Sequence, residues 1–282
     1  MSGSAQNVHR PAGLVLSHGD FVGINAEVES SLKPFYIDDC FCWLHPGHSS
    51  RGVILCSPIG LEDLVMHRFL RRLACNIAEA GMPALRFDYR GTGDSAGTLA
   101  GVTAEDWQQD IRHAVQELID IAAVPKVALV GLRVGALLAA QVAANNPQIS
   151  RLLVWDPIVS GQAYIDELIS EINPNPSRAN FIAADGTLHF NGFSMPHPFQ
   201  QSLTGLDLLK TQGLDSIATA QIVSHENDRF TALYASLSKL PRFVYELAPA
   251  PHDWNYVDNV GGILWPQPVL QAIENYFSAT QR

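Results

Sequence analysis

Short apolar runs and amphipathic stretches alternate along this chain. "RGVILCSP" at 51–58 is apolar and bounded by turn residues, the pattern of a strand buried on both faces. A helix is predicted over about 63–80, where Met66, Leu70, Leu73 and Ile77 step by four, three and four along one face. Gly81 stands where a C-terminal glycine ends a helix. The rhythm then repeats. "MPALRFD" reads as a strand, "DYRGTGDSAGT" as a glycine-rich loop, and "TAEDWQQDIRHAVQELIDIA" as a helix opened by a Thr103–Asp106 capping box. "KVALVGL" is a strand, and "VGALLAAQVAANN" a helix closed by Pro147. "SRLLVWDP", "AQIVSHEND" and "RFVYELA" are further strands, with a last helix near 266–279. Upstream, "KPFYIDDCFCWLHP" gives one or two edge strands. Strand and helix in alternation imply an α/β fold of right-handed βαβ units, with a mostly parallel twisted sheet and helices on both faces.

The rhythm breaks between Asp156 and about Asp215, where "NPNPSRAN" and "NGFSMPHPF" are irregular. An insertion here belongs over the carboxyl ends of the strands, where such sheets bind ligands, and its apolar content predicts a folded cap. The expected organisation is an arm over 1–34, a core over 35–157, a cap over 158–215 and the rest of the core over 216–282.

A chain of 282 residues, 47% hydrophobic and 16% charged, has the balance of a globular protein. The net charge of -10, with no Lys/Arg block, argues against nucleic acid or an anionic membrane as partner. No apolar run reaches the length of a membrane span, and the first twenty residues lack the regions of a signal peptide, so a cytoplasmic location is expected. Cys40, Cys42, Cys56 and Cys75 fit reduced thiols there. Cys40, Cys42, His45 and His48 lie within nine residues and raise the question of zinc. On a strand, alternate residues such as Cys40 and Cys42 are about 6.6 Å apart, too far for thiolates that share one zinc and must lie within ~4 Å. No metal or other cofactor is expected.

The chemistry centres on "VALVGLRVGALLA", a strand running into Gly131-Leu132-Arg133-Val134-Gly135 and then a helix. Such a strand–turn–helix is where a hydrolase holds its nucleophilic serine, with small neighbours because the turn is tight. Arg133 stands there instead. The order of strand, glycine-rich loop, elbow, inserted cap, acid and histidine resembles the α/β-hydrolase fold over about 35–280, most similar to its serine-aminopeptidase-like branch. "GLRVGALLA" followed by "LLVWDPIVSGQAYIDEL" further resembles the exosortase A system-associated hydrolase 2 group. The resemblance implies that His252 in "APAPHDWNYV" is the catalytic histidine and Asp228 in "SHENDRF" its acid, with His225, Glu226 and Asp253 as local rivals. It also places the oxyanion loop at "CSPIGLED", so that Ile59 or Gly60 and Val134 could supply backbone N–H donors.

An arginine has no usable nucleophilicity, because its guanidinium stays protonated. It can serve as a bidentate receptor for a ligand carboxylate or phosphate, or be bridged structurally to Asp228 or Asp156. Ser57 is the nearest alternative nucleophile, ahead of Cys56, Ser95 and Ser160, and would need His252 to activate it. Asp88 and Arg90 in the glycine-rich loop read as braces. Two functions remain open. One is a hydrolase or lyase working noncovalently on a small anionic or carrier-bound acyl substrate, with an Asp–His general base. The other is an inactive relative that binds a ligand or partner enzyme under its cap. A homodimer is compatible with either.

Overall fold

The apolar runs become the strands of one sheet in the computed structural model, which describes residues 32–172, 180–251 and 266–278. In chain order these are β1 (Lys33–Ile37), β2 (Cys40–His45), β3 (Arg51–Cys56), β4 (Ala84–Phe87), β5 (Lys126–Leu132) and β6 (Ile149–Trp155). Three short strands, β7 (Phe181–Ile182), β8 (Leu188–Phe190) and β9 (Phe193–Met195), form a separate sheet before β10 (Ala218–Val223) and β11 (Phe243–Leu247). The main sheet has the order β1-β2-β4-β3-β5-β6-β10-β11. Every pairing from β4 to β11 is parallel, and β2 pairs antiparallel with β1 and β4 at one edge. The chain leaves β3 for β4 on one side, then crosses back to β5 on the other. The loops after β3 and β4 therefore flank the crevice where such sheets take ligands.

Period-two alternation sends Val53 and Leu55 to one face and Ile54 and Cys56 to the other. The first face is covered by α1 (Leu61–Glu79), which buries Met66, Leu70, Leu73 and Ile77 as its spacing predicts. The second is covered by α2 (Ala104–Ala122) and α3 (Val134–Ala143). Helix α1 starts two residues earlier than its periodicity suggests, after Gly60 at φ +64°, so Glu62 and Asp63 fall in its first turn. The capping box forms as expected, with Thr103 N–H donating to Asp106 Oδ2 at 2.8 Å and Asp106 N–H to Thr103 Oγ1 at 3.3 Å. Thr103→Ala should cost about 1 kcal/mol in urea unfolding. A change within error would show that the packing of α2 alone holds its start.

Between β6 and β10 the chain is more regular than its sequence suggests. It forms α4 (Gly161–Ile172), the β7-β8-β9 sheet and α5 (His197–Thr204). Apolar burial explains this order: Tyr164, Leu168, Leu188, Phe199 and Leu203 are all buried. Phe199 meets Trp107 edge-on at 4.5 Å, and Trp107 stacks on Tyr89 at 4.3 Å. The remaining helices are α6 (Asp228–Leu237) and α7 (Gln267–Ser278), which packs beside α1.

The four cysteines are buried free thiols. His45 accepts a hydrogen bond from Arg86 Nε at 3.2 Å through Nε2, which leaves Nδ1 to carry a proton facing Cys75 Sγ at 3.7 Å. Burial, reinforced by Arg86, lowers its pKa to about 3. Both of its nitrogens are committed to the core. Among the described residues, no group of three His, Cys, Asp or Glu is set to hold a metal ion.

Candidate functional site

The strand-to-helix turn after β5 has the tightness that Gly131 and Gly135 imply. A Cβ on Gly135 would run into the backbone carbonyls of Cys56 and Ser57, and one on Gly131 into Ala136. Between them Arg133 sits at φ +54°, ψ -118°, a conformation that side chains rarely adopt. Such strain costs on the order of 1–3 kcal/mol and survives only where the surroundings impose it. Here the Arg133 N–H donates to the Trp155 carbonyl at 3.2 Å, and the Arg133 carbonyl accepts from Ala136 at 3.1 Å and Ile158 at 3.1 Å.

The side chain pairs with a carboxylate the sequence did not single out, and also reaches the backbone of Asp156, which it did. Arg133 Nε and Nη2 both donate to Glu62 Oε1 at 3.2 Å, and Nη1 donates to the backbone carbonyl of Asp156 at 3.3 Å. The two side chains are 13% and 1% exposed. Burial works against the guanidinium charge, but Glu62 outweighs it and holds Arg133 protonated. Burial raises the proton affinity of Glu62, with Arg133 opposing. Glu62 Oε2 has no hydrogen-bond partner among the described residues. Asp156, with Asp228 one of the two structural partners expected from the sequence, meets Arg133 through its backbone carbonyl and accepts the Ser224 N–H on Oδ1 at 2.7 Å. Asp228 lies exposed in the first turn of α6.

Beside the Ile59–Gly60 loop is a cleft of about 780 Å³. Its floor is the Ile59–Gly60 loop, Asp63 and His67 of α1, and Asp88 with the glycine-rich loop. Its roof comes from the insertion, with Tyr164, Leu168, Leu188 and Phe193 among the lining residues. Ile59 and Gly60 thus face a ligand space. Val134 is buried as the first residue of α3, where a helix leaves N–H groups without intrahelical partners. Because Gly135 lies against the Cys56 and Ser57 carbonyls, the start of α3 and the loop after β3 are in contact.

Burial, then the nearby Asp88, raise the Asp63 pKa to about 7, while Ser57 donates a hydrogen bond to its carboxylate. Burial also raises the pKa of Asp88, whose Oδ2 accepts the Asp94 N–H at 2.9 Å. His67 is lowered, by burial and then by Arg86. Ser57, the alternative nucleophile, is therefore engaged by a carboxylate. Arg90 braces the loop as expected, its Nη2 lying 2.5 Å from Asp110.

His252 and Asp253 lie outside the described residues. The chain leading to them is held beside the segment that carries Asp228: Ala248 N–H donates to the Val223 carbonyl at 2.9 Å, and Ala250 N–H to Ser224 at 3.4 Å. Asn227, one residue before Asp228, caps α6 by accepting the Phe230 N–H at 2.8 Å. The rivals His225 and Glu226 precede it in the same loop, and His225 Nε2 lies 3.1 Å from Asn227 Nδ2.

Glu62, Asp63 and His67 did not stand out in the sequence. Two acids opening a helix look like ordinary complements to its dipole. The one available signal was their place directly after the Ile59–Gly60 loop, with His67 one turn beyond Asp63.

The family model for serine aminopeptidase, S33, matches residues 65–182. No curated protein matches the chain. Among solved structures, Est1E of Butyrivibrio proteoclasticus, with ferulic acid bound, aligns at TM-score 0.61 and 16% identity, over 88% of this chain and 98% of that one. An esterase of Pyrococcus furiosus aligns at 0.61 and 14%, over 98% and 99%. Mouse alpha/beta hydrolase domain-containing protein 10 aligns at 0.56 and 15%, over 88% and 99%. The parallel sheet, the tight turn after β5 and these likenesses agree: the chain has the α/β-hydrolase fold, and over residues 65–182 it is similar to the serine aminopeptidases.

Proposed function

We propose that this protein is an atypical α/β hydrolase that cleaves a small ester, thioester or amide-type substrate by direct attack of water, with no acyl-enzyme at the elbow. The observation that carries this reading is the strained turn kept around Arg133, whose guanidinium is already bound to Glu62. His252, oriented by Asp228, is the general base in this scheme, and the backbone N–H groups of Ile59 or Gly60 and Val134 are the oxyanion donors. The esterase neighbours support the ester class. The finer resemblance to the exosortase-associated hydrolase 2 group belongs to the same proposal. A substrate anion would have to displace Glu62 to reach Arg133, and the cleft lined by the Ile59–Gly60 loop carries Asp63, Asp88 and Asp94. A substrate without a carboxylate near the elbow fits that charge pattern better, and we assign Arg133 to holding the turn.

A fluorophosphonate probe should label no serine, while a panel of small esters and thioesters is hydrolysed. His252→Ala should lower that rate by about 100-fold or more. A stoichiometric serine adduct located by mass spectrometry would sink the noncovalent scheme and point to Ser57. The Arg133–Glu62 pair also favours a second reading, an inactive protein that holds a ligand or partner enzyme under the insertion. That reading is supported if no ester or thioester turns over while cleft ligands still raise the melting temperature.

A further inference from the structure

Each edge of an open sheet presents a row of backbone N–H and C=O groups with which another chain can pair. The two edges of this sheet are built differently. β1 carries Lys33 and Pro34, a charge and a missing N–H of the kind that blunts an edge. β11, at the other end of the strand order, reads Phe-Val-Tyr-Glu-Leu, with neither lysine nor proline in it.

The register fixes which backbone groups of β11 are left over. Thr219 pairs with Phe243, and Gln221 with Tyr245. The Thr219 N–H donates to the Arg242 carbonyl at 2.9 Å, and the Ala248 N–H to the Val223 carbonyl at 2.9 Å. Arg242, Val244, Glu246 and Ala248 therefore turn their backbone groups inward to β10, while Phe243, Tyr245 and Leu247 turn theirs outward. Val244, Tyr245 and Leu247 are 47%, 37% and 42% exposed. Tyr234 of α6 is also exposed, and its ring meets Tyr245 at 5.0 Å and Phe243 at 5.9 Å. Open hydrogen-bonding groups and open apolar side chains coincide on one short strand.

We propose that β11 is a dimer interface, pairing antiparallel with β11 of a second copy of this chain about a two-fold axis at Tyr245. The strand is complementary to itself in that register. Tyr245 faces its own copy and Phe243 faces Leu247, so every outward N–H and C=O finds a partner. Moving the axis to Val244 would set Leu247 against Pro241, which has no N–H to give. With the axis at Tyr245, the rings of Tyr234, Phe243 and Tyr245 from both copies gather on the α6 face with Leu247. On the opposite face Val244 stands across from Glu246, and Arg242 falls diagonally beside Glu246 of the second copy, within reach of a long side chain. The two-fold axis makes that pair of opposite charges twice in each dimer. A strand of some other protein could use the same hydrogen bonds, but the match of Phe243 to Leu247 and of Arg242 to Glu246 is one that this sequence supplies to itself.

Neither the cleft nor its chemistry enters into this interface, and sedimentation of the full chain tests it. At about 100 μM the protein should sediment with twice the mass of one chain, as expected of a dissociation constant in the micromolar range. Tyr245→Pro removes the two hydrogen bonds on the axis and none to β10, because the Tyr245 N–H points outward, and should give a folded monomer. A second set of variants leaves the backbone untouched. Arg242→Glu and Glu246→Arg should each weaken the dimer about tenfold, by setting like charges together twice, and the double variant should restore wild-type association. A wild type that stays monomeric at that concentration would overturn the proposal. So would a dissociation constant unchanged in Tyr245→Pro, or single reversals that the double variant does not rescue.

Discussion

Arg133→Met is expected to destabilise the protein by about 3–5 kcal/mol in urea unfolding at neutral pH. The reason is not the lost attraction alone. Methionine would fill much of the arginine's volume, but Glu62, 1% exposed, would keep its charge without its partner. Removing one member of a buried pair leaves the other to bear its desolvation, and breaking such pairs costs about 3–5 kcal/mol. The carboxyl can escape by taking a proton, and the sign of the pH dependence follows. Without Arg133, the folded-state proton affinity of Glu62 rises further above its unfolded value, near 4.5. A group raised in this way is fully compatible with the fold below its unfolded pKa and opposes it increasingly as pH rises. The gap between variant and wild type should therefore be small near pH 4 and widen toward neutrality. Adding Glu62→Leu should recover most of the loss, because it removes the stranded charge. If Arg133→Met is as stable as wild type at pH 7, Arg133 is not a structural bridge, and its role as a receptor for a ligand anion regains its footing.

Gly135→Ala should be nearly as damaging, at about 3 kcal/mol or more, for a purely steric reason. Its Cβ would meet two backbone carbonyls, those of Cys56 and Ser57, rather than the end of a yielding side chain. Over-packing of this sort exceeds the usual cost of an extra methyl group in a core, because a sheet strand and the loop after it must move. Those residues lead directly into Ile59 and Gly60, so any ligand affinity of the cleft should fall with the stability. Gly205→Ala is the control. It has open space around its Cβ position and φ -74°, and should be neutral or stabilising by about 0.4–1 kcal/mol. Equal stabilities for the two variants, measured by urea unfolding, would mean that the contact between α3 and the loop after β3 is looser than described.

The tight turn after β5, and the strands and helices on either side of it, could be read from the chain because their causes are local. Alternating apolar runs fix which strands are buried, the four-three-four spacing fixes the face of α1, and paired glycines mark the tight turn. Thr103 and Asp106 announce the start of α2 from three residues apart. The insertion was less legible. Its order comes from Phe199 against Trp107, ninety-two positions apart in the chain, and no local pattern in "NGFSMPHPF" predicts that contact.

The partner of Arg133 was the hardest part to foresee. The sequence by itself determined that a cation stands at the turn, that it stays charged, and that burial would demand an anion for it. Asp156 and Asp228 were the natural candidates because each follows a strand on the same side of the sheet. The tertiary structure chose Glu62, seventy-one residues away, because the crossover from β3 to α1 brings the first turn of that helix over the start of α3. The same crossover sets Asp63 and His67 in one cleft with Asp88. Strand spacing and helical periodicity are written in neighbouring residues. Which carboxylate meets a buried guanidinium is decided by the angle and offset between two packed elements, and those arise only when the chain folds.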